Sequence, residues 1–182
     1  MSPIFRFLKK MRGGGPSQKR VPLHEVFWSS LGGFLGIAGI YMLGHAHELR
    51  IEDSLFLVGS FGASAVLVYG APNSPLAQPR NLIGGHVFSA LIGVSCSLYI
   101  AVPVLAAALA VSLSIAVMHL TKTLHAPGGA TALIAVIGGQ NIHDLGYWYV
   151  LTPITSGAVV MLLVALIVNN LSPHRHYPNH WL

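Results

Sequence analysis

Residues 121–139, TKTLHAPGGATALIAVIGG, sit where a membrane helix belongs and break helix rules at their centre. Lys122 and His125 lead into Pro127, Gly128 and Gly129, and only then does an apolar run begin. As a helix, residues 126–139 reach about 21 Å at 1.5 Å per residue. That falls short of the roughly 30 Å hydrocarbon core of a bilayer. The stretch therefore predicts a short helix that starts inside the membrane.

The rest of the chain gives this stretch its setting. Of 182 residues, 53% are hydrophobic and 8% charged. Soluble domains carry about 25% charged residues, so the chain is an integral membrane protein with no room for a separate soluble domain. Apolar runs predict spans at residues 24–44, 54–71, 81–102, 104–120, 127–139 and 148–170. Pro103 separates the third and fourth with a turn tight enough to make them a hairpin. The second and fifth are short and interrupted by glycine.

Six of the ten Lys and Arg residues fall in the first twenty positions. Beside apolar helices they read as a topology signal rather than as a nucleic-acid patch, and no apolar signal-peptide core follows them. With six crossings both termini are cytoplasmic. Arg80, Lys122 and Arg175 then join the basic leader inside, and Arg50, in the acidic loop HAHELRIED, alone lies outside. A re-entrant fifth helix would move only Arg175. Three regions result: a basic cytoplasmic segment at 1–21, a transmembrane domain at 22–171, and a polar His-rich cytoplasmic tail at 172–182, solvated rather than metal-binding.

A 67-residue shift lays GASAVLV (62–68) over GATALIA (129–135). Gly62 meets Gly129, Ala63 meets Ala130 and Ser64 meets Thr131; Asn73 falls on Gln140 and Ser89 on Ser156. The expected fold is an all-α membrane protein of about six transmembrane helices in two inverted three-helix repeats, about 22–102 and 103–171. Its second and fifth helices are short or discontinuous. Inverted repeats with Gly/Pro-interrupted segments in matching places point to a transporter site near the midplane.

A helix that begins inside the membrane leaves its first amides unpaired at the positive end of its dipole, where an anion fits. Gly128, Gly129, Ala130 and Thr131 would offer those donors from one side. Ser60, Gly62, Ala63 and Ser64 would offer them from the other, as an opposed second N-terminus. His125 would assist as a hydrogen-bond donor. Arg80 and Lys122 would gather anions, with Asn73, His86 and Gln140 as accessory polar groups. Packing is the simpler role for Cys96, for His119 as an interhelical hydrogen-bonder, and for the small-residue face of Gly32, Gly36 and Gly39. That face also suits a homo-oligomer. There is no phosphate-binding loop, nucleophile elbow or HExxH helix, and the five acidic residues furnish no hydrolytic machinery. The expectation is a protein that is not an enzyme, with no cofactor or metal, whose partners are a small anion and the bilayer and not nucleic acid.

Residues 60–86, SFGASAVLVYGAPNSPLAQPRNLIGGH, together with 124–136, LHAPGGATALIAV, resemble the HPP family of integral membrane proteins. The similarity covers roughly residues 22 to 172, and the two motifs together are specific. The His-Pro-Pro triplet that gives the family its name stands here as His125-Ala126-Pro127, so the middle proline is replaced. Some relatives carry an appended regulatory CBS region, which would lie outside this stretch. Plant chloroplast-envelope members are described as moving nitrite, so the resemblance implies a transporter or channel for a small monovalent anion, nitrite first. It is read here as a bacterial inner-membrane member. The alternative is a membrane anion sensor or assembly subunit that moves nothing.

Overall fold

The structure is a computed structural model that describes residues 3–12, 15, 17, 20–46 and 51–182, with backbone alone at 44–46 and 51–58. Arg50 lies outside the described residues. Helices α1 (Pro3–Lys10), α2 (Leu23–Ala46), α3 (Ile51–Gly70), α4 (Pro79–Tyr99), α5 (Pro103–Leu120), α6 (Gly128–Ile137), α7 (Gln140–Leu145) and α8 (Ser156–Leu171) follow in order. A 3₁₀ turn at Pro75–Ala77 precedes α4, and a π-helical segment at Val150–Thr155 leads into α8.

Among the described residues, four stretches are long and apolar enough to cross a membrane: Leu23–Leu43, Pro79–Tyr99, Pro103–Leu120 and Val150–Leu171. Their exposed faces carry bulky apolar side chains such as Phe34, Leu98, Leu113 and Ile167. Their buried faces carry small and polar ones, among them Ser89, Ala110, Ser114 and Ala165. A lipid-facing surface this apolar removes the hydrophobic drive between helices, so small residues and hydrogen bonds must bring them together. Gly32 and Gly36 of α2 do this against Tyr69 of α3. A Cβ on Gly32 would come within 2.7 Å of the ring and one on Gly36 within 2.5 Å of its hydroxyl. A Cβ on Gly39 would come within 2.9 Å of Val160. The glycine face is thus used inside the chain.

Two expectations about the interrupted helices change. Residues 51–70 form one continuous helix, so the second apolar segment is unbroken, although its apolar part, Gly59–Gly70, is short. Gly59 and Gly62 are tolerated there because each helical amide still finds its i−4 carbonyl. The break falls instead in the last span, read from the sequence as one helix. Pro153 lacks an amide donor, and Thr152 before it leaves the helical region at φ −135°, ψ 125°. The short α6 is as expected: ten residues, or about 15 Å. The tail also differs from a solvated one. Tyr177 is buried and donates to Ala77 O at 2.8 Å, while Asn179 N donates to Gln78 Oε1 at 2.8 Å.

Helix α2 packs on α3 and α8, and α5 packs on α6 and α4. Helix α4 lies against α6, and α3 against both α6 and α8. The centre of the bundle is therefore where α3, α4 and α6 meet.

Candidate functional site

Two histidines predicted as separate polar points meet at that centre. His86, two turns into α4, and His125, in the loop before α6, are both fully buried, with ring centroids 5.0 Å apart. One hydroxyl joins them. Ser64 Oγ of α3 is 2.8 Å from His86 Nε2 and 2.9 Å from His125 Nε2. On the far side of His86, Nδ1 is 2.7 Å from Thr131 Oγ1, which donates to Ser60 Oγ over 3.1 Å. On the far side of His125, Nδ1 donates to the carbonyl of Leu76 at 2.8 Å. Ser60, Ser64 and Thr131 are as buried as the two rings. The five side chains form one hydrogen-bonded line from the 3₁₀ turn into the bundle.

Each element holds its member in place by ordinary means. The loop at 121–127 is pinned to the start of α4: Arg80 Nη2 donates to Thr121 O at 2.7 Å, and Asn81 Nδ2 to Leu124 O at 2.9 Å. Lys122 makes the reversal with a φ of 57°, a left-handed conformation that side chains seldom adopt. Gly84 and Gly85 let the loop lie flat on α4; a Cβ on Gly84 would come within 2.6 Å of Thr123 Cγ2, and one on Gly85 would meet Cβ of His125. The turn that presents Leu76 is held by buried Gln78, whose Nε2 donates to Pro72 O at 2.9 Å and Ser74 O at 2.8 Å. Tyr149 fixes α6 by donating to Thr131 O at 3.1 Å. The Phe61 ring covers His86 at 4.9 Å.

The amides expected to oppose one another are engaged within their own helices. Gly62, Ala63 and Ser64 lie within continuous α3, so their amides belong to the helix ladder. At the start of α6, Gly128 N donates to His125 O at 2.9 Å, Gly129 N to Ala126 O at 3.2 Å and Thr131 N to Pro127 O at 3.2 Å. The loop thus caps its own helix. Ser60, Ser64, His125 and Thr131 do come together, with His86 central rather than accessory. Gly62 and Gly129 cradle nothing, since a Cβ would find open space at Gly62 and only Val111 Cγ1, at 3.8 Å, at Gly129. Ala63 and Ala130 line an apolar lateral groove of about 360 Å³ with Val66, Leu67, Ala126 and Pro127. Asn73 and Gln140 stay at the surface. Asn73 O accepts from Asn179 Nδ2 at 3.5 Å, and Gln140 Nε2 donates to Asp144 Oδ1 at 2.8 Å. Arg80 is spent on the loop and Lys122 is exposed, as is His119.

These contacts set a prediction about the glycines. Gly85→Ala forces its methyl into His125 and should cost about 1–3 kcal/mol by overpacking. Gly129→Ala should be neutral to within about 0.5 kcal/mol. Thermal unfolding of the purified variants in one detergent ranks them; equal melting of Gly85→Ala and the wild type would contradict the packing described.

Sequence reasoning missed one group. From the sequence Arg175 reads only as a topology cation, yet its side chain is 2% exposed and pairs with Glu25 Oε2 at 2.7 Å. It also donates to Tyr69 O at 3.0 Å, Asn169 Oδ1 at 2.9 Å and Ser29 Oγ at 2.8 Å. Residues 150 apart in sequence gave no local signal of this pairing.

Comparison with known proteins agrees with the membrane reading. Residues 18–178 match the family described as HPP, transmembrane region. Two transmembrane proteins of Dictyostelium discoideum are similar to the chain. One is 47% identical, aligning over 98% of this chain and 58% of its own length; the other is 45% identical, over 98% and 64%. The chain thus spans less than two thirds of either relative. No solved structure matches it significantly.

Proposed function

The chain belongs to the HPP family of integral membrane proteins, and from that premise we propose that it is a transporter of a small monovalent anion, nitrite first, rather than an enzyme. The observation that carries the reading is the Ser64 hydroxyl held between two fully buried imidazoles at the centre of an apolar bundle. Ionisable side chains at membrane depth are costly and are kept where substrates or protons pass. Imidazole and hydroxyl groups suit a small anion such as nitrite, which needs a few hydrogen bonds and tolerates little bulk. The site we assign is therefore Ser60, Ser64, His86, His125 and Thr131, with side chains in place of helix-terminal amides. Anion entry requires these groups to exchange their mutual bonds for bonds to substrate.

The inverted-repeat layout belongs to the same proposal. Ser64 and Thr131, the residues that the 67-residue shift superposes, hold His86 from its two ring nitrogens. Exchanging the two halves carries the α2–α3 pair onto α5–α6 and the α2–α8 pair onto α5–α4, and both members of each exchange are packed pairs. Under the positive-inside rule both termini then face the cytoplasm, with the Leu76 end of the hydrogen-bonded line on the same side.

Flux into proteoliposomes tests the reading. Nitrite should accumulate above the leak of empty vesicles and saturate. Suppression by nitrate or chloride would mark a broad small-anion pathway, and indifference to both a dedicated nitrite route. The full burial of the cluster favours one rival, a membrane subunit that binds an anion without moving it. Saturable nitrite binding with no flux would establish that rival in place of the transporter.

A further inference from the structure

The hydrogens of the central cluster can be counted. Leu76 O can only accept, so Nδ1 of His125 carries a hydrogen. With Thr131 donating to Ser60, the oxygen of Thr131 is left to accept from His86 Nδ1, which therefore carries a hydrogen as well. Two neutral rings protonated at Nδ1 present two bare Nε2 atoms. Both face Ser64 Oγ, at 2.8 and 2.9 Å, and that hydroxyl has one hydrogen to give. Its longer approach to Ser60 O, 3.3 Å, satisfies neither nitrogen. With the Thr131 hydroxyl turned to Ser60, the neutral cluster is one hydrogen short.

One added proton completes it. Placed on either Nε2, it donates to Ser64 Oγ while Ser64 donates to the other ring. We propose that His86, Ser64 and His125 form a proton-binding site for a single proton, exchanged between the two rings through the Ser64 hydroxyl, and that this proton travels with the transported anion. In the exchange the His86 Nε2–H bond breaks as a new O–H forms on Ser64. The old Ser64 O–H breaks as an N–H forms on His125, and nothing is oxidised or reduced. Without the proton, the Thr131 hydroxyl turns from Ser60 to His86 Nδ1, and His86 carries its hydrogen on Nε2. Both states are then fully bonded, and rotation of one hydroxyl separates them.

Among the described residues, no countercharge faces the cluster. The described carboxylates, Glu25 and Asp144, are engaged with Arg175 and Gln140 away from the cluster. From α4, Arg80 is bound to the loop carbonyl of Thr121. From the loop, Lys122 is exposed, and from α5, His119 is exposed. On the remaining sides α3 gives hydroxyls and Phe61, the 3₁₀ turn gives a carbonyl, and Tyr149 donates to Thr131 O. A buried imidazolium without a countercharge is expensive. A monovalent anion supplies that charge, so the pair crosses as a neutral unit.

This inference rests on the transport reading, and two measurements separate their failures. In proteoliposomes loaded with a pH indicator at alkaline pH, where nitrous acid is scarce, nitrite uptake should acidify the interior by one proton per nitrite. The rate should not change when potassium and valinomycin clamp the potential. Independently of flux, NMR of isotope-labelled histidine in the anion-free protein should show His86 and His125 taking up one proton together, with His86→Gln and His125→Gln assigning the signals. Nitrite flux that carries current and no proton would overturn the coupling. Rings that stay neutral throughout the pH range of the folded protein would overturn the site. A shared proton with no nitrite flux would uphold the site and remove the transport reading instead.

Discussion

Replacing His86 with alanine is expected to abolish anion flux and to weaken the fold, whereas His86→Gln should keep the fold and lose flux. The ring is fully buried, stacks near Phe61 and joins Ser64 to Thr131. Truncation to alanine leaves a cavity and two hydroxyls each short of one partner, so a loss on the order of 3–5 kcal/mol follows from lost packing and weakened polar contacts. Glutamine restores a donor and an acceptor on a side chain of similar reach, and recovers most of that stability. It cannot accept and pass on a proton as imidazole does. The expected result for His86→Gln is near-native thermal unfolding with flux reduced roughly ten-fold or more, the equivalent of one misplaced hydrogen-bond partner at about 1.4 kcal/mol. Native flux in a well-folded His86→Gln would show that the ring serves packing alone.

The second large effect concerns a residue far from the cluster. Arg175→Met should destabilise the protein by on the order of 2–3 kcal/mol, because the buried guanidinium is the shared donor to several acceptors that would be left without it. Glu25, half-buried, keeps only the more distant His24 at 3.8 Å, and the acceptors Tyr69 O, Asn169 Oδ1 and Ser29 Oγ lose their donor. Arg175→Lys should rescue little, since a single ammonium cannot reach acceptors placed for a planar fork. The double variant Glu25→Gln with Arg175→Met should recover part of the loss, and comparing the melting of all four proteins isolates the pair. Equal melting of Arg175→Met and the wild type would mean that the tail is not held by this contact.

Hydropathy made most of the architecture legible. Long runs without charges fix the spans ending near Leu120 and Leu171, and Pro103 marks the α4–α5 turn because it suits a helix start. The continuity of α3 was not legible, since Gly59 and Gly62 read equally well as a break or as small residues inside a helix. The reverse holds at Pro153, where a very apolar run conceals a real interruption. At the site, the pairing of Ser64 with Thr131 by the 67-residue shift brought both hydroxyls forward, and His125 stood out beside Pro127. The central placement of His86 was not legible, because nothing local shows that α3 and α6 approach it from two sides. The Glu25–Arg175 pair was invisible for the same reason: it depends on α2 and the tail meeting at one end of the bundle.

The most direct test of the central claim is the initial rate of nitrite uptake by proteoliposomes carrying equal amounts of folded wild type, Ser64→Ala and Gly129→Ala. If the hydroxyl shared by two imidazoles is the working centre, wild type and Gly129→Ala take up nitrite at similar rates above empty vesicles. Ser64→Ala then falls roughly ten-fold or more, since its two imidazole nitrogens are left unpartnered. Uptake by Ser64→Ala equal to wild type, with both folded, would contradict the account.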